Sequence, residues 1–432
     1  ITDPNHRPES PTKAAPVNQP APLHIHWPDG LSTERFLADY WQKRPLLIRG
    51  AFPGFESPLS PDELGGLATE AEIASRIVVE HGDPPWQLRH GPFTAEDFEQ
   101  LGEGRWSLLV SDVEKHLPDF ADYLEPFRFI PDWRIDDLMI SFAPPGGSVG
   151  PHQDDYDVFL LQAQGRRRWQ IAAEPAGGFA LLDGPELRII DGFESEQEWL
   201  LEPGDMLYLP PRVAHHGVAE TACMTWSIGF RAPLWRDLLC DFAETLAERS
   251  GERRYADAEL AAATHPGEID AVARARIRAG LHELLAHDDV ALDRWFGRYI
   301  TDHLAGGSGP QPCAVDADEV FAHLAAGGWL ERRADLRYAF ITEGDDCWLF
   351  AGGSELAVPE PLARLICAQR CIDATDLAAG PPAGSEAGPV GHSEPKYAGS
   401  DTLTTPTLGD TALQLLPKLV EFGILSFGNI DD

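Results

Sequence analysis

Between Leu138 and Phe230 the chain breaks into short apolar runs, LMISFA, YDVFLLQA, RRRWQIA, EWLLEPGDMLYLPP and TWSIGF, punctuated by the turn-forming stretches PPGGS, AQG and EPGD. Many short strands at this spacing indicate a barrel or jelly roll, in which closure hides the sheet edges. Two polar blocks interrupt the pattern. One, GGSVGPHQD, carries His152 and Asp154, and the other, GDMLYLPPRVAH, ends on His215.

On a strand, His152 and Asp154 are two apart and point to the same side, so both can face one metal. His215 lies 61 residues beyond Asp154, in a block that reads Gly204, five residues, Pro210, four residues, His215. That spacing resembles the second cupin motif. The first cupin motif is present in altered form: Gly146, five residues, His152, then Asp154 where many cupins have a second histidine, Val158 at the usual glutamate, and a closing Gly165. Two imidazoles and one carboxylate leave three coordination positions free, the facial triad of non-haem Fe(II) oxygenases. His24 and His26 form an HxH without a Gly-rich lead-in and read as edge strand. His216 faces away from His215 on a strand and reads as surface or substrate-side, with the choice of ligand between the two histidines left open.

An Fe(II) site of this kind needs an electron source for O2. 2-Oxoglutarate supplies it by chelating through its keto acid while its far carboxylate is held by a cation. In GRRRWQI, strand alternation puts Arg167 on the apolar face with Trp169 and Ile171, and puts Arg166, Arg168 and Gln170 outside. An inward arginine among apolar walls suits a carboxylate clamp; the competing reading of Arg167 is a buried structural ion pair. Arg166 and Arg168 read as a solvated pair.

The chain has 432 residues, enough for two to four domains, and its 43% hydrophobic and 24% charged content excludes wholesale disorder. Its net charge of −36 repels phosphate backbones, so a basic partner fits better than direct contact with nucleic acid; an acidic host environment explains the charge equally well. Six scattered cysteines without CxxC read as reduced thiols in cytoplasm, Cys367 and Cys371 being better explained as apolar packing than as metal ligands. No run of 18 apolar residues exists to span a membrane. Residues 1–22 read as a disordered tail without a signal-peptide core, and the lack of an initiator Met suggests a trimmed chain. Residues 23–233 hold the helix TERFLADYWQ, the strand PLLIRG and the closely spaced strands. Residues 234–304 are helical, a linker follows near 306–312, and 313–432 mix helices with the strand-like RYAFIT and CWLFAG around a mobile insertion at 380–405.

The chain resembles the bacterial ribosomal oxygenases, JmjC-type cupin hydroxylases of ribosomal proteins. The matching stretches are Phe36–Phe52, FLADYWQKRPLLIRGAF; Phe129–Trp169, FIPDWRIDDLMISFAPPGGSVGPHQDDYDVFLLQAQGRRRW; Glu202–Gly217, EPGDMLYLPPRVAHHG; and Ser227–Pro233, SIGFRAP. The resemblance implies an α+β architecture: a double-stranded β-helix (the JmjC jelly roll), a helical dimerisation region that would make the chain a homodimer, and a winged-helix-like C-terminal module. It further implies Fe(II) at His152, Asp154 and His215, the 2-oxoglutarate carboxylate at Arg167, and polar pocket residues at Thr225 and Ser227, with Thr225 standing where some relatives have Asn. The substrate implied is an arginine β-carbon of large-subunit ribosomal protein sixteen, with a histidine of another ribosomal protein as the alternative. Tyr156 reads as a lining residue of the substrate mouth or a packed aromatic, and Asp136 and Asp137 as contacts for a basic substrate or solvated carboxylates. Two other readings compete: a cupin enzyme that does not use 2-oxoglutarate, and a non-catalytic acidic cupin scaffold.

Overall fold

The computed structural model describes residues 23–428, apart from 82–84, 103, 176, 263–264, 287–288, 303–311 and 380–408. The tail expected at 1–22, most of the 306–312 linker and the insertion expected at 380–405 lie outside the described residues.

Eleven strands precede residue 231: β1 Leu46–Ile48, β2 Ser75–Val79, β3 Gln87–His90, β4 Trp106–Val110, β5 Ile135–Ala143, β6 Val158–Gln164, β7 Arg167–Ala172, β8 Gln197–Leu201, β9 Met206–Leu209, β10 Ala214–Ala219 and β11 Cys223–Phe230. They form a large sheet in the order β1-β9-β6-β11-β5-β4-β2-β3 and a small sheet in the order β10-β7-β8, every pair antiparallel. Alternation along β6 divides the interior. Phe159, Leu161 and Ala163 face the main core, while Val158 and Leu160 face the small sheet and pack with Trp169, Ile171, Leu207 and Leu209. This is the jelly roll that the strand spacing implied.

The outer face of the large sheet is covered by N-terminal helices. Thr33–Asp39 starts at Ser32, whose hydroxyl accepts from the Arg35 N–H, and it buries Phe36 completely, with the Tyr208 ring centroid 4.9 Å away. Pro61–Leu67 begins with a reciprocal Ser60–Glu63 capping box. Full burial of a side chain like Phe36 stabilises by roughly 1.5–3 kcal/mol. Residues 23–28 are irregular rather than the edge strand read for His24 and His26, though the His26 N–H donates to Ala51 O at 2.8 Å.

Three helices follow the jelly roll, Trp235–Ser250, Ala271–Leu285 and Asp289–Thr301. The third packs on the C-terminal module: Gly297 sits against the Phe350 ring so closely that a Cβ would lie 2.5 Å from it, and Arg298 pairs with Glu355 at 2.5 Å. That module contains β12 Trp329–Arg332, β13 Tyr338–Glu343, β14 Asp346–Ala351, β15 Ser354–Ala357, β16 Cys371–Ile372 and β17 Leu425–Gly428, in two sheets ordered β16-β12-β17 and β13-β14-β15. Helices Ala317–Ala325, Glu360–Ala368 and Leu416–Glu421 close its core with Val320, Leu362, Ile366 and Leu419. Cys367 ends a helix while Cys371 begins β16, so they share no helix face, and all six cysteines are free thiols. Among the described residues no helix is long and apolar enough to cross a membrane.

The module docks on the jelly roll through charge. Arg128 donates to Asp132 at 2.9 and 2.7 Å, to Glu125 at 3.1 Å and to Ala368 O at 3.0 Å, with a further bond to Cys367 O at the end of the facing helix. Arg337 donates to Asp136 Oδ1 at 2.7 Å. Nearby, Glu114 is buried; its carboxylate accepts from the Leu138 N–H at 3.0 Å, and burial pushes its pKa up to about 8.

Candidate metal centre and active-site cavity

His152, Asp154 and His215 converge: one ligand atom from each lies within 4.8 Å of the others. His215 stands on β10, which pairs with β7 so that His215 is opposite Ile171. His152 is not on a regular strand as its spacing from Asp154 suggested. A single antiparallel bridge holds it, with His152 N–H to His215 O at 3.0 Å and His215 N–H to His152 O at 2.8 Å. Asp154 is held by its own carbonyl, which accepts from the Arg212 N–H at 2.7 Å. The result is the same-side geometry expected, reached by a tethered loop.

Both imidazoles are aimed by backbone. His152 Nδ1 lies 2.9 Å from Gly150 O and His215 Nδ1 lies 3.0 Å from Val213 O. These contacts put the proton on Nδ1 and leave each Nε2 free to ligate, the usual arrangement of metal-binding histidines. The His215 Nε2 is 3.6 Å from Asp154 Oδ2, and the two imidazole centroids are 4.3 Å apart. Burial, reinforced by the neighbouring His152, holds His215 below the ordinary imidazole range, so it stays neutral and able to coordinate. His216 points the other way and packs against Phe193, which resolves the choice between the adjacent histidines in favour of His215.

The triad opens onto a cavity of about 920 Å³. Arg167 lies in its wall, 4% exposed, at the inward position predicted for β7; its guanidinium donates to Thr225 Oγ1 at 3.2 Å and leans on the Trp169 ring at 5.4 Å. No carboxylate among the described residues pairs with it, its buried Nε has no acceptor, and burial depresses its pKa. The structural ion pair is therefore not what holds Arg167 in place. Arg168 faces outward as expected, between Glu198 and Glu220 at 2.6 Å from the latter.

Thr225 and Ser227 are buried on the inward face of β11 and line the cavity. Thr225 Oγ1 also donates to Gln162 Oε1 at 3.4 Å, so Gln162, passed over in the sequence, completes the relay that orients Arg167. Its signal was available: Gln162 is the polar member of the inward set Val158, Leu160, Gln162, in a strand that is otherwise apolar up to its last residue, the exposed Gln164. Tyr156, 42% exposed, lines the mouth. Asp136 is committed to Arg337 and, at 3.3 Å, to Arg231. Gly217, paired with Trp169 across the β10–β7 ladder, is required sterically because a Cβ there would lie 2.7 Å from the indole.

Comparison with known proteins agrees with this geometry. Residues 122–238 match the JmjC domain family and residues 283–386 the ROXA-like winged helix. The chain is 41% identical over 340 residues to the Escherichia coli ribosomal protein uL16 3-hydroxylase, covering 78% of this chain and 87% of that one. It is 37% identical over 234 residues to a probable ribosomal oxygenase of Haemophilus influenzae, covering 54% and 58%. The structure of the E. coli ribosomal oxygenase YcfD in complex with cobalt and 2-oxoglutarate superposes with a TM-score of 0.73 at 34% identity, over 94% of this chain and all of that one. A three-ligand centre beside an unpaired buried arginine, a jelly roll followed by a winged helix, and this level of identity together place the chain in the JmjC-type ribosomal oxygenase family.

Proposed function

We propose that the chain is an Fe(II)- and 2-oxoglutarate-dependent dioxygenase that hydroxylates a side-chain carbon of a ribosomal protein, specifically an arginine of uL16. The observation that carries the reading is Arg167: a buried guanidinium with no carboxylate partner among the described residues, in the wall of the cavity that holds the triad. Leaving such a charge unpaired costs several kcal/mol, so the site is built for a ligand that brings the missing carboxylate.

His152, Asp154 and His215 would hold the metal through two neutral imidazoles and one carboxylate, a donor set suited to iron with open positions. When bound, iron and 2-oxoglutarate supply O2 activation coupled to decarboxylation, which converts a C–H bond into C–OH. The chain's own residues do the rest. Gly150 O and Val213 O fix the imidazole tautomers; Thr225 and Gln162 hold the Arg167 fork toward the cavity; Val158, Leu160 and Trp169 exclude water beside it. Ser227 supplies a hydroxyl on the same wall. The net charge of −36 favours encounter with a basic ribosomal protein over direct binding of nucleic acid, and a cytoplasmic location follows from such a substrate.

A homodimer is part of the same reading. Trp235 is 86% exposed and Leu239 66% on one helix, and Val272, Ile277 and Leu281 stand exposed on the next. An apolar surface of this kind on a soluble chain fits a second copy. Leu239→Arg is expected to halve the mass seen in sedimentation.

The decisive test incubates the purified protein, Fe(II), 2-oxoglutarate and O2 with uL16 and follows succinate formation and a one-oxygen mass gain on an arginine-containing peptide. Oxygen on a histidine of another ribosomal protein would transfer the assignment to that substrate; no gain on any ribosomal protein would defeat it.

A further inference from the structure

Beside the catalytic cavity lies a smaller one, of about 140 Å³, at the junction where the C-terminal module meets the jelly roll. It shares Lys115, Asp136 and Arg337 with the larger cavity and contains neither a member of the triad nor Arg167. Its charge runs against that of the chain. Acidic residues outnumber basic ones 70 to 34 over the whole sequence, yet here the ratio inverts: Lys115, Arg128, Arg332, Arg333, Arg337 and Arg370 face four carboxyl groups. One of the four, Glu114, is uncharged at neutral pH, because burial pushes its pKa up to about 8.

Most of these cations are satisfied from within. Arg128 is held by Asp132 and Glu125, Arg333 by Asp335, Arg337 by Asp136, and Lys115 by Asp112. The three ionised carboxylates of the cavity are thereby used, and two arginines remain. Arg332 ends β12, and its N–H donates to Arg370 O at 2.9 Å, one step beyond the Glu331–Cys371 pair of the β12–β16 ladder. Their side chains stand directly across from one another, a like-charge pairing that costs stability unless a counter-charge sits between them. The protein supplies little of one. Arg332 reaches Cys367 O at 3.3 Å and Asp132, already taken by Arg128, at 3.9 Å. Arg370 reaches Asp119 at 3.5 Å and Asp122 at 3.8 Å, loose ion pairs with exposed carboxylates rather than hydrogen bonds. Both arginine side chains are nevertheless largely withdrawn from water, at 16% and 24% exposed.

Leu124, Ile135 and Leu336 give the cavity apolar walls, so charges inside it are weakly screened. Its volume is well below the roughly 300 Å³ at which pockets for drug-sized molecules begin, so it suits a compact anion. A tetrahedral oxyanion offers several acceptors to two planar forks, the geometry in which arginine binds phosphate. We infer that the junction cavity is a binding site for a phosphate group, held between Arg332 and Arg370. Tyr338 supports it from below, since the Arg332 guanidinium lies over that ring at 5.4 Å. A phosphate there meets two cations of the C-terminal module and faces Arg128 of the jelly roll, so its binding also tightens the docking of the two parts. The site stands apart from the metal centre and is independent of the hydroxylase reading.

The test titrates inorganic phosphate calorimetrically into the metal-free full-length protein at neutral pH and constant ionic strength, with chloride as the reference anion. Saturable binding is expected, with a dissociation constant below about 1 mM, weakened about tenfold in Arg370→Gln and in Arg332→Gln. Without phosphate, Arg370→Gln should melt no lower than the wild type, because a like-charge neighbour has gone; a purely structural arginine would give a drop. Added phosphate should raise the melting temperature of the wild type and leave that of Arg370→Gln unmoved. Arg167→Met, which removes the other anion-seeking guanidinium, should bind phosphate as the wild type does. A parallel titration with glycerol phosphate identifies the source: binding at least as tight assigns the site to a phosphate monoester, weaker binding to the free anion. No saturable binding in the wild type, chloride binding as well as phosphate, undiminished affinity in Arg370→Gln, or a loss confined to Arg167→Met each overturns the assignment.

Discussion

Two arginines, Arg167 buried in the cavity and Arg128 partly buried at the junction of the modules, have the same side chain and opposite surroundings. Arg128 meets Asp132, Glu125 and the terminal carbonyls of helix Glu360–Ala368, and these partners raise its pKa. Arg167 meets one hydroxyl and an aromatic face, and burial lowers its pKa. A guanidinium whose donors are met from within holds the fold together; one left short of an acceptor marks where something from outside belongs.

The contrast can be broken by exchanging each arginine for a neutral chain of similar length. Arg167→Met is expected to weaken 2-oxoglutarate binding at least about a hundredfold in anaerobic calorimetry with Mn(II), as suits loss of a buried bidentate carboxylate contact. The melting temperature of the ligand-free protein should not fall; a clear drop would return Arg167 to the structural class. Arg128→Met should do the reverse, costing about 1–2 kcal/mol of stability in denaturant titration because partly buried acceptors lose their donor, with 2-oxoglutarate affinity unchanged.

Glu114 sharpens the junction side of the comparison, because it is buried there without a strong cation partner. Its carboxyl stays neutral in the folded protein up to about pH 8 and ionises near 4.5 when unfolded. The stability it contributes is therefore complete below pH 4.5 and is lost as pH rises through 8. Glu114→Gln should flatten that decline and raise stability at pH 8 by about 1–2 kcal/mol, read from melts across the pH range. The smallest effect is expected on the cavity side. Thr225→Val removes one hydrogen bond to Arg167 without changing shape, and should weaken 2-oxoglutarate roughly fivefold, about 1 kcal/mol.

Much of this was readable from residue order, for identifiable reasons. Strand period two is imposed by backbone geometry, so the inward set Arg167, Trp169, Ile171 followed from spacing alone. His215 was readable because the Gly204 and Pro210 turn signals fix the approach to β10. The bridge that carries His152 was not, since a loop tethered by two hydrogen bonds places residues as a strand does without a repeating pattern. The irregular pairing of β5 with β11 was equally hidden: the register runs from Ile228 opposite Leu138 to Phe230 opposite Ile135, so Gly229 faces both Asp136 and Asp137, and only the partner strand reveals it. Nor did local sequence connect Arg128 with a helix end more than two hundred residues later, because long-range charge pairing carries no period.

Asp136 has one further consequence. It is gripped by Arg231 from the end of the jelly roll and by Arg337 from the C-terminal module, and all three stand on the rim of the catalytic cavity. The module that follows the jelly roll is thus masonry of the doorway rather than an appendage. A chimera that grafts this jelly roll onto a tail lacking the second guanidinium would leave a carboxylate half-satisfied at the entrance, so the two parts can be exchanged between relatives only together.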